Sequence, residues 1–145
     1  MQIYKKYLSI IIPIYNEEGN ILKLYNKIIS SLEASRLSNY EIIFINDGST
    51  DDSATLLYQI SKKDFNAKII NLVTNQGQTA AISAGIEYSQ GEIIIPMDGD
   101  LQNDPKDIPN LIDKLNEGFD VVSGWRKHRK DKTISRILPS KIANW

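Results

Sequence analysis

The sequence predicts an α/β fold built around a mainly parallel sheet. Short runs rich in Ile and Val alternate along the chain with segments whose apolar residues recur every three or four positions. The Ile- and Val-rich runs are nearly continuous instead of alternating with polar residues. Such runs are typical of strands covered on both faces, as in parallel sheets flanked by helices.

Length and composition indicate one ordinary globular domain. The chain has 145 residues, so we expect a single domain over residues 1–145, able to bury a core without disulfides. It has no Cys, which excludes disulfide frameworks, thiolate zinc sites and cysteine nucleophiles. No apolar run approaches the roughly 18–20 residues that span a bilayer, and no signal-peptide cleavage site follows the first strand. We therefore expect a cytoplasmic protein.

Five runs of four to eight residues have the length and composition of strands. In chain order they are residues 7–14, 40–46, 67–73, 92–97 and 120–123. Four intervening segments carry apolar residues at helical spacing, as Ile21, Leu24, Ile28 and Leu32 do in the first. These predicted helices are residues 17–35, 51–63, 79–89 and 107–116.

The residues that follow the predicted strands are mostly polar or glycine. They lie in segments 13–18, 46–53, 75–79, 98–105 and 124–126. In open parallel sheets, ligands bind outside the carboxyl ends of the strands. We therefore expect these segments to meet at one edge of the sheet and to form the functional site there.

Asp98, Asp100 and Gln102 follow the fourth predicted strand. Two carboxylates spaced by two residues on an extended segment point to the same side. Together with the amide oxygen of Gln102 they offer hard oxygen ligands to Mg²⁺ or Mn²⁺. The alternative is a helix N-terminus, in which Asn103 or Asp104 caps a helix beginning at Pro105 and the acids suit its first turn. Their position after a buried strand favours a metal site.

Four other positions at the same edge allow two interpretations each. Asp47 can accept hydrogen bonds from a base or ribose, or it can serve turn chemistry, and both roles can coexist. Gly77 opens a helix rich in small residues, where it either binds an anion or permits close packing, whereas Ala81, Ala84 and Gly85 of that helix favour packing against the sheet. Tyr15 either stacks on a ring or packs, and Glu17 either binds a ligand or suits the dipole of the first helix.

The charge is unevenly distributed. The net charge is −1, yet seven of the 17 basic residues lie between Arg126 and Lys141, with one acid, Asp131, among them. Such a segment suits an anionic partner, and Arg126 suits a phosphate, although a solvated charged helix explains the run equally well.

Two common nucleotide-binding motifs, the G-x-G-x-x-G fingerprint of dinucleotide-binding domains and the P-loop, are both absent from the sequence.

Taken in order, these motifs resemble those of the family 2 glycosyltransferases of GT-A fold, especially the polyprenyl-phosphate and dolichyl-phosphate sugar transferases. The resemblance covers nearly the whole chain and implies an α/β/α sandwich whose C-terminal part lies beyond residue 145. Gln78 stands where the family often has Lys. The motifs are Ile11-Ile12-Pro13-Ile14-Tyr15-Asn16-Glu17-Glu18, Ile45-Asn46-Asp47-Gly48-Ser49-Thr50-Asp51, Asn75-x-Gly77, Met97-Asp98-Gly99-Asp100-Leu101-Gln102 and Val122-Ser123-Gly124-Trp125-Arg126.

The resemblance implies inverting transfer of a sugar from a UDP- or GDP-sugar, with Mg²⁺ or Mn²⁺ as cofactor and a lipid phosphate as acceptor. Asp98, Asp100 and Gln102 would bind the cation, and Asp100 and Arg126 would be catalytic. The basic segment 126–145 would meet an anionic membrane surface on the cytoplasmic side, and no nucleic-acid partner is expected. Donor-binding residues would be Pro13, Tyr15, Glu17, Asp47, Gly77, Asp98 and Gly99.

Two other functions compete with this interpretation. A catalytically silent domain would use the same pocket to bind a nucleotide sugar without transferring the sugar. A receiver-like signalling module would have a similar length and alternation of strands and helices. It would need a phosphoacceptor Asp after the third strand and a Lys after the fifth, whereas the chain has Thr74-Asn75 and Gly124-Trp125-Arg126 there. The receiver-like alternative is therefore disfavoured.

Overall fold

The computed structural model describes residues 6–124. The chain divides into two compact units, residues 1–109 and residues 110–145. The predicted basic segment 126–145, with Arg126 at its start, lies outside the described residues. The expectation of one domain over the whole chain stays a prediction.

The first unit alternates strands and helices, as the sequence predicts. A 3₁₀ turn, Pro105–Asp107, follows the last strand and leads into a helix that continues into the second unit. The four helices each begin or end within four residues of their predicted limits. The elements are β1 (Leu8–Ile14), α1 (Ile21–Ala34), β2 (Tyr40–Asp47), α2 (Ser53–Lys63), β3 (Ala67–Leu72), α3 (Gln78–Tyr88), β4 (Ile93–Pro96) and α4 (Ile108–Leu115).

The four strands form one sheet in the order β3-β2-β1-β4, and every neighbouring pair is parallel. Ile14 at the end of β1 lies opposite Asn46 of β2, and Ile11 lies opposite Pro96 of β4. The predicted α/β fold with a parallel sheet is therefore confirmed. β2 and β3 lie on one side of β1, and β4 lies on the other. The strand order therefore reverses at β1, and open α/β sheets form their binding crevice at such a reversal.

Residues 120–123 of the second unit form no strand, so this part of the prediction is wrong. The segment has only two β-branched residues, Val121 and Val122, and the side chain of Val121 is 84% exposed. A strand this short is stable only when it pairs with neighbouring strands. The described part of the second unit, residues 110–124, contains no strand that could pair with it. Within residues 6–124, moreover, no helix combines the length and hydropathy needed to cross a bilayer.

Close packing between α3 and the sheet explains the small residues of that helix. Ala81 is fully buried and belongs to a cluster with Ile11, Ile43 and Ile45. A Cβ atom on Gly85 would collide with the side chains of Ile11 and Ile45, so only glycine lets the helix approach the sheet this closely. The packing role that the sequence favours for these small residues is thus what the structure has.

A polar network at the amino ends of the strands holds the opposite edge of the sheet together. The fully buried Glu41 of β2 accepts hydrogen bonds from Ser9 Oγ (2.5 Å) and from the backbone N–H of Gln90 (2.7 Å). Its other oxygen lies 2.6 Å from Lys68 Nζ of β3. The N–H of Gly91 donates to Ser9 Oγ (2.8 Å). We call these five residues the amino-edge network. It joins β1, β2, β3 and the turn before β4.

The amino-edge network keeps Glu41 ionised. Burial alone would raise the pKa of Glu41, but hydrogen bonds from Lys68, Ser9 and the Gln90 backbone outweigh it and hold this pKa below its usual value. Because the folded-state pKa is lower than the unfolded-state pKa, the carboxylate contributes its full stabilisation above the unfolded value. That contribution is lost as the pH falls through the folded-state pKa.

Glu41→Gln should lower the free energy of unfolding by about 2 kcal/mol at neutral pH, because it removes charge-assisted hydrogen bonds in a buried site. As the pH falls from neutral into the acid range, the difference from wild type should begin to shrink near the unfolded-state pKa of a glutamate, about 4.3, and should disappear below the lower folded-state pKa of Glu41. Urea unfolding across this pH range measures both effects. Glu87→Gln, which changes an exposed glutamate of α3, is the matched control. A constant Glu41→Gln deficit at all pH values would contradict the prediction.

Candidate functional site

The carboxyl ends of β1, β2 and β4 carry most of the predicted site residues. Tyr15 and Glu17 follow β1, Asp47 is the last residue of β2, and Asp98 lies two residues beyond β4. Since these strands are parallel neighbours in the sheet, the three ends lie along one edge. The structure therefore brings these predicted residues to a common edge of the first unit.

The segment from Asp98 to Gln102 is a turn, and the prediction that it is extended is wrong. Gly99 and Asp100 form the turn, and Leu101 has a left-handed backbone with φ of +65°. Glycine and aspartate favour such turns because glycine tolerates unusual dihedral angles and the short Asp side chain bonds to nearby backbone. Turn geometry, and not strand alternation, therefore positions the carboxylates of Asp98 and Asp100.

Local hydrogen bonds hold this turn. The backbone N–H of Asp98 donates to Asn103 Oδ1 (3.1 Å), and the backbone N–H of Gln102 donates to Asp100 Oδ1 (3.1 Å). Asp104 caps the 3₁₀ turn that follows, as the alternative interpretation of these acids proposes. Because Asp104 is the capping residue, Asp98 and Asp100 are not part of the cap.

Gly99 brings the turn against the end of β1. A Cβ atom at this position would lie 2.8 Å from Ile14 Cδ1 and 3.1 Å from the carbonyl oxygen of Pro13, so a larger residue would displace Ile14 and crowd the end of β1. Asp98 is half-buried, whereas Asp100 and Gln102 are exposed. Two carboxylates and an amide oxygen on one short turn are a donor set of the hard-oxygen type that Mg²⁺ and Mn²⁺ prefer.

The turn supplies two carboxylates, and the part of the chain that the structure describes contains no group of three or more His, Cys, Asp or Glu side chains arranged around a metal position. A magnesium ion typically takes only one or two protein carboxylates and completes its coordination with waters and substrate phosphates. The donor set therefore fits a cation that is shared with a phosphate-bearing ligand.

Asp47 fixes the loop that precedes α3. Its side chain is buried, and its two oxygens accept hydrogen bonds from the backbone N–H groups of Gln76 (2.7 Å) and Gly77 (2.9 Å). Gly77 has φ of +90° at the start of α3, a conformation that favours glycine. A carboxylate has about four acceptor positions, so the structural role leaves capacity for a ligand. Asp47 and Gly77 as donor-binding residues stay predictions.

Gln78, the first residue of α3, reaches the turn after β4. Its side-chain Nε2 donates a hydrogen bond of 2.8 Å to Asp98 Oδ1. In the sequence, Gln78 is a departure from the lysine that the resemblance implies. No local pattern indicates this contact, because it joins residues 20 positions apart through the fold of the sheet.

The loops after β1 and β2 hold each other through reciprocal hydrogen bonds. The N–H of Asn16 donates to Ser49 Oγ (3.1 Å), and the N–H of Thr50 donates back to Asn16 Oδ1 (2.8 Å). Asn16 has a left-handed backbone, with φ of +53°, which asparagine tolerates better than most residues. We call the set Asn16–Glu18 and Ser49–Ser53 the loop clasp.

The same exchange recurs at the other end of the loop clasp. The N–H of Glu18 donates to Asp51 Oδ2 (3.1 Å), and the N–H of Asp52 donates to Glu18 Oε2 (2.9 Å). The N–H of Glu17 donates to Ser53 Oγ (3.0 Å). Glu18 thus satisfies a backbone donor at the start of α2, a role that the sequence does not predict, because an acid at this position also suits the dipole of α1. The sequence signals for this exchange are the polar runs before the two helices, Asn16-Glu17-Glu18 and Ser49-Thr50-Asp51-Asp52.

The loop clasp also explains the ionisation of Asp51. Burial alone would raise the pKa of Asp51, but hydrogen bonds from Ser53 and from the backbone of Glu18 outweigh this effect and lower its pKa. The carboxylate therefore remains charged at neutral pH and keeps accepting from both loops.

The remaining predicted residues occupy simpler positions. Tyr15 is 48% exposed beside the strand ends, where its ring is available for stacking. Glu17 accepts a hydrogen bond from Asn20 Nδ2 (2.6 Å), and Pro13 is half-buried within β1. Arg126 lies outside the described residues. The roles of all four in binding or catalysis stay predictions.

Comparison with known proteins identifies the relatives of the chain. The model of the family "Glycosyl transferase family 2" matches residues 9–145. The dodecaprenyl-phosphate galacturonate synthase of Rhizobium johnstonii is 42% identical over 142 residues, which are 95% of this chain and 41% of the relative. The undecaprenyl-phosphate 4-deoxy-4-formamido-L-arabinose transferase of Shewanella sediminis is 39% identical over 140 residues, with the same coverage of 95% and 41%. The chain thus spans about two fifths of the length of these curated relatives.

Solved structures share the fold. Glucosyl-3-phosphoglycerate synthase from Mycobacterium tuberculosis, in complex with UDP, matches with a TM-score of 0.65 and 20% identity, over 97% of this chain and 51% of the other. The mannosyltransferase PcManGT from Pyrobaculum calidifontis, in complex with GDP-Man and Mn²⁺, matches with a TM-score of 0.57 and 20% identity, over 67% of this chain and 28% of the other. These likenesses agree with the predicted GT-A fold.

Asp51→Ala should lower the free energy of unfolding by about 1 kcal/mol, because it removes acceptors for the N–H groups of Glu18 and Ser53. Glu18→Ala should cost a similar amount, since it removes the acceptor at the start of α2. Because the two residues belong to one network, the double variant should lose less than the sum of the single losses. Chemical denaturation of the four proteins measures this coupling.

Asp52→Ala is the matched control for the loop clasp, because Asp52 carries a neighbouring carboxylate that makes no side-chain cap bond. It should change the free energy of unfolding by less than about 0.5 kcal/mol. If the Asp51 and Glu18 losses were additive, or if Asp52→Ala cost as much as Asp51→Ala, the reciprocal exchange would not be a stabilising unit.

Proposed function

Because the chain belongs to glycosyl transferase family 2, we propose that it binds a nucleotide-sugar donor together with Mg²⁺ or Mn²⁺ and transfers the sugar, with inversion, to a polyprenyl-phosphate acceptor. The observation that carries this proposal is the Asp98-Gly99-Asp100 turn, packed against the end of β1 at the edge where the strand ends meet. That edge is where α/β sheets bind their ligands.

The nucleoside of the donor would lie against the residues that end or follow β1 and β2. Tyr15 offers an exposed ring for stacking, and Asp47 offers carboxylate oxygens at the end of β2. Pro13 and Glu17 border the same edge, and Gly77 and Gly99 keep the neighbouring backbone free of side chains. The loop clasp would hold the two loops together, which reduces the entropy cost of binding a nucleoside against them.

Asp98, Asp100 and Gln102 would hold the cation. When bound, Mg²⁺ or Mn²⁺ neutralises negative charge on the diphosphate and so stabilises the departing nucleoside diphosphate. The choice of cation is supported by the oxygen donor set of the turn and by PcManGT, whose structure contains Mn²⁺ with GDP-Man. Asp100 would contribute to catalysis through this charge balance.

The polyprenyl-phosphate acceptor is supported by the names of the two curated relatives, a dodecaprenyl-phosphate and an undecaprenyl-phosphate enzyme. A lipid phosphate is already anionic at neutral pH, so its oxygen attacks the anomeric carbon without a strong general base. Displacement of the nucleoside diphosphate from the opposite face of that carbon inverts its configuration.

Arg126 and the basic segment 126–145 would face the acceptor phosphate and the anionic membrane surface on the cytoplasmic side. Each basic residue near such a surface contributes about 1 kcal/mol of attraction. The seven basic residues between Arg126 and Lys141 therefore suit a peripheral contact with lipid head groups.

Asp100→Asn should abolish Mn²⁺-dependent binding of UDP or GDP. The Asn oxygen can still accept the hydrogen bond from the Gln102 N–H, so the turn keeps its geometry while the charge that attracts the cation is lost. Isothermal titration calorimetry with Mn²⁺, and again with a chelator, measures the difference. Asp107→Asn, at an exposed carboxylate of the 3₁₀ turn, should bind as wild type does. Unchanged binding by Asp100→Asn, with and without chelator, would refute the metal assignment.

Incubation of the chain with a UDP- or GDP-sugar, Mn²⁺ and polyprenyl phosphate should release nucleoside diphosphate and form a lipid-linked sugar. The anomeric configuration of the product, read by NMR, should be opposite to that of the donor. Binding of the nucleotide without any release would instead support the catalytically silent alternative, and retained configuration would exclude the inverting mechanism.

A further inference from the structure

Gln78 connects two parts of the candidate site that are distant in sequence. Its backbone position is fixed, because it follows Gly77, whose N–H donates to the buried carboxylate of Asp47. Its side chain then extends to the turn after β4 and donates to Asp98 Oδ1 at 2.8 Å. The end of β2 is thereby linked through the start of α3 to the carboxylate beside β4.

This contact restricts the orientation of Asp98. The backbone of Asp98 is held by Asn103, whose Oδ1 accepts its N–H at 3.1 Å, and the carboxylate is held by Gln78. A carboxylate fixed at both ends is pre-organised for a ligand, because it loses little rotational freedom when the ligand binds.

The amide of Gln78 also differs from a lysine in its effect on charge. A neutral amide donor orients a carboxylate and leaves its full negative charge for a cation, whereas an ammonium group at the same distance would cancel most of it. We propose that Gln78 is a positioning residue of the cation site: it orients the Asp98 carboxylate for Mg²⁺ or Mn²⁺ without neutralising it. This proposal rests on the proposed function, in which Asp98 binds the cation.

Gln76 provides a matched comparison within the same loop. It is also a glutamine, two positions earlier, but its side-chain Nε2 donates to Thr74 Oγ1 (2.6 Å) and not to Asp98. Substitution of its side chain leaves intact the backbone N–H that donates to Asp47. Gln76→Met therefore removes an equivalent amide without altering the contact to Asp98.

The test compares the wild-type chain with Gln78→Met, Gln78→Lys and Gln76→Met. Free Mn²⁺ is measured by electron paramagnetic resonance during titration of each protein, once with saturating UDP and once with saturating GDP. Gln78→Met should bind Mn²⁺ about tenfold more weakly, a typical effect of removing a group that orients a metal ligand. Gln78→Lys should bind more weakly still, because its ammonium group repels the cation. Gln76→Met should bind as wild type does.

The ranking separates a positioning role from a merely structural one. Gln78 is exposed, so thermal melting should show all variants folded, and loss of packing alone would affect Met and Lys alike. Equal Mn²⁺ affinity of wild type and Gln78→Met overturns the proposal. So does a Gln78→Lys variant that binds as tightly as Gln78→Met, or a Gln76→Met variant that is equally impaired. If the wild-type chain binds no Mn²⁺ with either nucleotide, the proposed function itself is wrong and this proposal fails with it.

Discussion

The parallel pairing of β1 with β2 on one side and with β4 on the other is the constraint on which the site depends. It sets the loops after three strands side by side, although β1 ends at Ile14, β2 at Asp47 and β4 at Pro96. The pairing is stabilised by continuous apolar strands, since Ile10, Ile11 and Ile12 of β1 are all fully buried. Neither the loop clasp nor the Gly99 contact could form without this arrangement.

The two edges of the sheet use polar residues in different ways. At the amino edge, Glu41 is buried and its oxygens are engaged by Ser9, Lys68 and the backbone of Gln90, so the charge serves the fold. At the carboxyl edge, Asp98 and Asp100 lie on a turn that is partly open to solvent. A buried carboxylate whose hydrogen-bond partners all come from the protein contributes to the stability of the fold. A carboxylate at an open strand end is accessible to a ligand.

The sequence predicts elements well wherever the signal is local. The fold class follows from the apolar runs of β1 to β4 and from the helical spacing of Ile21, Leu24 and Ile28. The structure confirms these four strands and the helix α1. The strand predicted at residues 120–123 is wrong because its two valines give it the composition of a strand, but the described part of its unit offers no strand to pair with. The extended conformation predicted at Asp98 is wrong because the strand ends at Pro96, the last residue that pairs with β1, and a turn follows.

The sequence predicts which residues gather at the carboxyl ends of the strands, but not which contacts these residues make. The edge at which Asp47, Asp98 and Gly99 gather follows from the rule for parallel sheets. The partners of these residues do not, because the bonds from Gln78 to Asp98 and from Asp52 to Glu18 join positions 20 and 34 residues apart. Only the assembled sheet determines which side chains meet.

In the loop clasp each loop supplies donors and acceptors to the other, so neither loop can open without breaking the bonds of both. The two loops therefore form one cooperative opening unit, and their amide hydrogens should exchange with solvent at a shared rate instead of fraying separately.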